Sequence, residues 1–136
     1  MSTSVGAPVP TTWRAFFLVA GLYDLLLGLA FLLAGEPILD AIGMELPPHS
    51  AYIHLAAVFV LVQGLSYLLV YLDAWSNLGI VRVGVAYKAG YSGLAFYYLA
   101  IGQLPSAFFI PWAILDLGFM VGFLVFLRAA TDRRAA

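Results

Sequence analysis

Four polar side chains, each near the middle of a long apolar stretch, are the residues that could do chemistry: Asp24, Gln63, Lys88 and Asp116. Two carboxylates, one ammonium and one amide can hold a proton, balance a bound ion or orient a small solute. A charge in hydrocarbon is expensive, so each should face protein or water and have a partner. Asp24 and Asp116 bracket a single cation, Lys88. If all three ionise, the group carries a net −1, so one carboxylate is expected to hold a proton or to share one through Gln63 or water. Such a pair titrates as a unit. Asp24 and Asp116 are the expected proton acceptors, Lys88 their counter-ion or an anion contact, and Gln63 the hydrogen-bond orienter. Tyr23, Tyr67, Tyr91, Ser92 and Trp112 are expected to line the site. A buried ion pair can also set helix register without any ligand, and that alternative stays open.

The elements that must position these groups are membrane spans. The chain has 136 residues, 64% hydrophobic and 10% charged, against about 25% charged in soluble domains. Apolar stretches cover about 13–34, 51–72, 78–101 and 106–127, each close to the ~20 residues that cross ~30 Å of hydrocarbon. Helix is the expected form, because an open strand would leave backbone groups unpaired in lipid. The fold expected is all-α: a polytopic four-transmembrane-helix bundle. Its organisation is a flexible tail over 1–12, one membrane domain over 13–128 and a cytoplasmic tail over 129–136. Ile38, Leu39, Ile42 and Leu46 recur at helical spacing between Pro37 and Pro47, which predicts a short interfacial helix between spans 1 and 2.

Arg14, Arg82, Arg128, Arg133 and Arg134 fall on one side if both termini are cytoplasmic, while the 35–50 loop carries only acids and His49. The basic side is the cytoplasmic one, so the expected location is the inner (plasma) membrane, multi-pass. Counted from that side, Asp24, Gln63, Lys88 and Asp116 lie about 11, 9, 10 and 11 residues in, or ~14–17 Å at the helical rise. They share one layer. Small residues near them, Gly21 and Gly28 on span 1 and the Ala86–Gly90 and Ala89–Gly93 pairs on span 3, permit close helix approach.

The composition also excludes. There is no cysteine, so disulfides, thiol chemistry and thiolate metal sites are out. A net charge of −1 gives no field for nucleic acid. No HExxH, Walker A or GxSxG element occurs, and no cofactor or metal is expected. His54 is nine residues from Gln63 and should point to the opposite face; His49 sits in a PPHS turn.

The segments AGLYDLLLGLAFLL at 20–33, VQGLSYLLVYLD at 62–73, KAGYSGL at 88–94 and ILDLGFMVGFLVFL at 114–127 together resemble small bacterial four-helix membrane proteins, broadly the DoxX-like group. That group carries Tyr–Asn/Asp early in span 1, a Gly–Lys pair in span 3 and an Asn–Asp pair in span 4. The matching positions here are Tyr23–Asp24, Lys88 with its neighbouring glycines, and Leu115–Asp116. The span 4 asparagine is absent and the order around Lys88 differs. The resemblance implies the fold and no settled reaction.

Three functions fit this reading. One is binding or permeation of a small solute, a lipophilic molecule or protons at the four-residue layer. The second is an accessory subunit of a larger membrane complex. The third is acid–base catalysis on a lipophilic substrate. The lipid bilayer is the expected partner, with a homo-oligomer or larger complex left open.

Overall fold

Glycine dictates the closest contact in this protein. In the computed structural model, which describes residues 8–135, the first helix α1 (Thr11–Ala41) packs along the second, α2 (Ala51–Leu72), through Gly21, Gly28 and Gly64. A Cβ on Gly28 would stand 2.5 Å from the Leu61 backbone nitrogen, and one on Gly64 would strike the Leu25 backbone nitrogen. Only a residue without a side chain lets two helix backbones approach this way. The third and fourth helices, α3 (Leu78–Ala100) and α4 (Phe109–Ala135), form a second antiparallel pair. The molecule is thus two helical hairpins joined by the 73–77 turn. That turn is built from Asp73, Ser76 and Asn77: the Ser76 backbone N–H donates to Asp73 Oδ1 at 3.2 Å, and Asn77 Nδ2 donates to the Asp73 carbonyl at 2.7 Å. The Ser76 hydrogen bonds hold the Asp73 carboxyl below the usual carboxylate range.

Three expected boundaries move. Pro37 lies inside α1, and the helix kinks at Ala34 (φ −139°, ψ 28°). Proline has no N–H, and its ring clashes with the carbonyl four residues back, here Leu33, so the break falls just after it. The short helix expected between Pro37 and Pro47 is present as the segment beyond that kink, over 35–41, continuous with span 1 in α1. It stops at Ala41, and Leu46 lies outside it. The stop is a Schellman turn: Gly43 takes φ 71°, its N–H donates to the Asp40 carbonyl, and the Met44 N–H donates to the Leu39 carbonyl. Gly102 ends α3 in the same manner. At the other limit, α4 runs past Leu127 to Ala135, so most of the stretch expected as a tail over 129–136 continues the helix. Most of the 1–12 tail lies outside the described residues, as does Ala136; α1 begins at Thr11.

Burial runs opposite to that of a soluble protein. Asp24, Lys88, Ser92 and Asp116 are buried, whereas Leu33 is 80%, Phe59 74% and Leu72 70% exposed. Such extended apolar surface is not left facing water in a soluble monomer. The helices α1, α2 and α4 are long and apolar enough to cross a membrane. These are the marks of a membrane-embedded helical bundle. At 23 residues α3 has comparable length, but Arg82, Lys88 and its tyrosines and glycines make it the least apolar.

The end of the bundle near both termini is filled by rings. Phe17 stacks on Phe123 with centroids 5.6 Å apart, Trp75 stacks on Phe126 at 5.3 Å, and Trp13 meets Phe126 edge-on. Arg14 lies over Tyr71 and Arg133 over Trp75 at the same end. At the opposite end Ser50 donates to the Glu36 carboxylate, tying the start of α2 to the end of α1.

Candidate functional site

Lys88 is where the two hairpins meet. Its ammonium, fully buried, donates to Asp24 Oδ1 at 2.7 Å, to Asp24 Oδ2 at 2.8 Å and to Asp116 Oδ1 at 2.8 Å. An ammonium has three donors, and all three are used. Asp24 comes from α1 and Asp116 from α4, so three helices converge on one nitrogen. Four rings surround that nitrogen: Tyr23, Tyr67, Tyr87 and Phe119, with centroids at 4.9, 5.8, 5.2 and 5.6 Å. The face of an aromatic ring attracts a cation, the more so away from water. One turn beyond, Ser92 Oγ donates to the Ala113 carbonyl at 2.9 Å and pins α3 to α4.

Gln63 does not join the cluster. Its Nε2 is buried without a hydrogen-bond partner, and its side chain lies against the Tyr67 hydroxyl. Tyr67 lies four residues on along the same face of α2, and Gln63 stops at its hydroxyl. Among the described residues no hydrogen bond links Gln63 to Asp24, Lys88 or Asp116, so a direct proton relay through its amide is not formed in this structure. Tyr67 is also displaced: it is fully buried on the termini side of Lys88, between Gly84 and Phe123, and its hydroxyl has no partner of ordinary geometry. An unpaired buried hydroxyl carries a desolvation penalty. Tyr67→Phe is therefore expected to keep stability or raise it by about 1 kcal/mol in thermal unfolding; a loss of that size would show a hydrogen bond formed in the membrane.

On the side of the cluster away from the termini lies a cavity of about 430 Å³. Asp24 and Asp116 form its polar floor, and Lys88 does not line it. Tyr23, Tyr87, Tyr91, Phe31, Phe108 and Trp112 supply aromatic wall, and Leu27, Ile53, Ala57 and Val60 the aliphatic wall. Met44, Glu45 and Pro47 stand at the mouth, carried there by the turn at Gly43. A second hollow of about 410 Å³, between the end of α3 and the 103–105 loop, shares Tyr91 and Phe109 with the first. Of the residues expected to line the site, Tyr23, Tyr91 and Trp112 line this cavity; Tyr67 and Ser92 do not, although the Tyr67 ring stands over Lys88 on the other side of the cluster.

Compared with known proteins, the chain matches no family model, no curated protein and no solved structure. The site must speak through its own geometry.

That geometry has consequences. With its donors used and its nitrogen outside the cavity wall, Lys88 serves as a counter-ion and offers nothing to an anion. Asp116 is held through Oδ1 alone. Among the described residues no hydrogen bond reaches Oδ2, while the Tyr23 hydroxyl lies against this carboxylate without closing one. No set of three or more metal-binding side chains gathers among the described residues. His49 and His54 are both exposed. The site is a hydrophobic cup with hydrogen-bond acceptors at its base. Reading the sequence missed Tyr87, Phe108 and the mouth residues Met44 and Glu45. A glycine just past the end of a helical pattern, Gly43, was the available signal for the last two.

Proposed function

We propose that this chain is a four-span integral membrane binding protein, with both termini at the cytoplasmic face, that lodges a small, mostly apolar molecule between its two hairpins. The single observation that carries the reading is the cavity itself: apolar walls with a few convergent polar groups at one end is how ligand sites are built. A subunit serving only as scaffold needs no such hollow. The ring-filled layer on the termini side of Lys88 favours binding over permeation. The orientation rests on Arg14, Arg82, Arg128 and Arg133 lying toward the termini end, with Glu36, Asp40 and Glu45 at the other. The resemblance to DoxX-like proteins is compatible with this architecture and adds no ligand.

Trp112 lines the cup, while Trp13 and Trp75 sit at the far end, so fluorescence can test the reading. Two single-tryptophan proteins in nanodiscs are needed, one keeping Trp112 (Trp13→Phe with Trp75→Phe) and one keeping Trp75 (Trp13→Phe with Trp112→Phe). Titrated with 4-bromotoluene, whose bromine quenches indole on contact, Trp112 should be quenched saturably and Trp75 only in linear proportion to the probe dissolved in lipid. Linear quenching of both would remove the binding reading.

A further inference from the structure

The charge of the cup specifies its occupant. Every ionisable side chain in the lining is an acid or a tyrosine: Asp24, Asp116, Glu45, Tyr23, Tyr87 and Tyr91. No lysine, arginine or histidine lines it among the described residues. The one nearby cation, Lys88, offsets one of the two floor carboxylates. Its ammonium is saturated by Asp24 on both oxygens and by a single oxygen of Asp116. With both carboxylates ionised, one negative charge remains, centred on Asp116, a residue 4% exposed in the cavity floor whose Oδ2 accepts no hydrogen bond among the described residues. A proton shared by the pair neutralises it, and a cation seated there would take that proton's place. The walls suit such a cation. Aromatic faces attract a positive charge, above all a soft, weakly hydrated organic one.

We infer that the cup is selective for a hydrophobic monocation: an amine or quaternary ammonium head seated against Asp116 within the tyrosine and tryptophan walls, its apolar body reaching toward Phe31 and Met44. The inference rests on the binding reading above and names the class of molecule bound. An anion is disfavoured because acids stand at both floor and mouth, Asp116 and Glu45, and no cation faces the cavity among the described residues. A neutral molecule would fill the volume and leave the shared proton where it is.

The test compares two probes of nearly identical shape. In 4-bromobenzyltrimethylammonium a cationic nitrogen occupies the place that a neutral carbon takes in 1-bromo-4-neopentylbenzene. Both are titrated into the nanodisc-embedded protein that keeps only Trp112, with the protein that keeps only Trp75 correcting for the concentration of each probe in the bilayer. The cation is expected to bind about tenfold tighter than its neutral twin, a difference of about 1.4 kcal/mol. Asp116→Asn leaves a balanced Asp24–Lys88 pair and should erase that preference, and Asp24→Asn should do the same by leaving the Asp116–Lys88 pair. Equal affinity of the two probes for the unsubstituted site overturns the cation inference and leaves the binding reading intact. Saturable quenching by neither probe overturns both. Retention of the full preference in whichever aspartate variant folds would show that the carboxylates do not set it.

Discussion

Lys88→Met is expected to destabilise the protein by about 3–5 kcal/mol, the loss seen when one member of a buried ion pair is removed and its partner is stranded. Here it strands two partners, because Asp24 and Asp116 both terminate on the same nitrogen. The reverse substitutions should be milder. Asp116→Asn removes one charge-assisted hydrogen bond and leaves a neutral pair, whereas Asp24→Asn disturbs two. The expected order of thermal unfolding temperatures is wild type, then Asp116→Asn, then Asp24→Asn, with Lys88→Met lowest. Combining Lys88→Met with Asp24→Asn and Asp116→Asn should recover most of the loss, since a layer without charges has none to strand. If Lys88→Met alone expresses and unfolds as the wild type does, the three residues are not coupled in the membrane.

The second large effect belongs to the hairpin seam. Gly64→Val should cost about 3 kcal/mol or more, at the upper end of what overpacking costs, because the atoms in the way are backbone atoms of Leu25 and Gly21 that no rotamer change can move. Gly28→Val should behave alike, against Leu61. Gly90→Ala, Gly93→Ala and Gly118→Ala supply the contrast. Nothing stands within 4 Å of a Cβ at those positions, so alanine should be neutral or gain up to about 1 kcal/mol from its better helix propensity. Unfolding of the five variants in the same bicelles checks the set. A tolerated Gly64→Val would mean that α1 and α2 stand too far apart for Gly64 to touch the Leu25 backbone.

Depth was legible in the sequence because helical rise is fixed: counting residues from the span ends was enough to bring Asp24, Lys88 and Asp116 to one level. Contact was less so. The same count brought Gln63 to that level, but its amide meets the Tyr67 hydroxyl and bonds to neither carboxylate, a tertiary outcome with no local signature. The kink at Ala34 was foreseeable from Pro37 through its clash with the carbonyl of Leu33. Periodicity over Ile38, Leu39, Ile42 and Leu46 pointed to the separate helix beyond it, which ends at Ala41, short of Leu46. Tyr87 escaped notice for an angular reason. It precedes Lys88 directly and so points about 100° away around the helix, and the cavity follows that face, through Tyr87 and Tyr91, leaving Lys88 out of its lining.

Synthesis proceeds from the amino end, so the glycine-seamed pair α1–α2 is complete before Lys88 emerges from the ribosome. In the proposed four-span arrangement α3 is the least apolar passenger, and a lysine at mid-depth opposes its entry by about 2.5–3.5 kcal/mol on insertion scales. Asp24, already in place, offers that lysine a salt link at the moment of entry, and Asp116 arrives last to close the triad. The order of the helices along the gene thus doubles as an assembly schedule, in which an early-born half chaperones the later one into the bilayer.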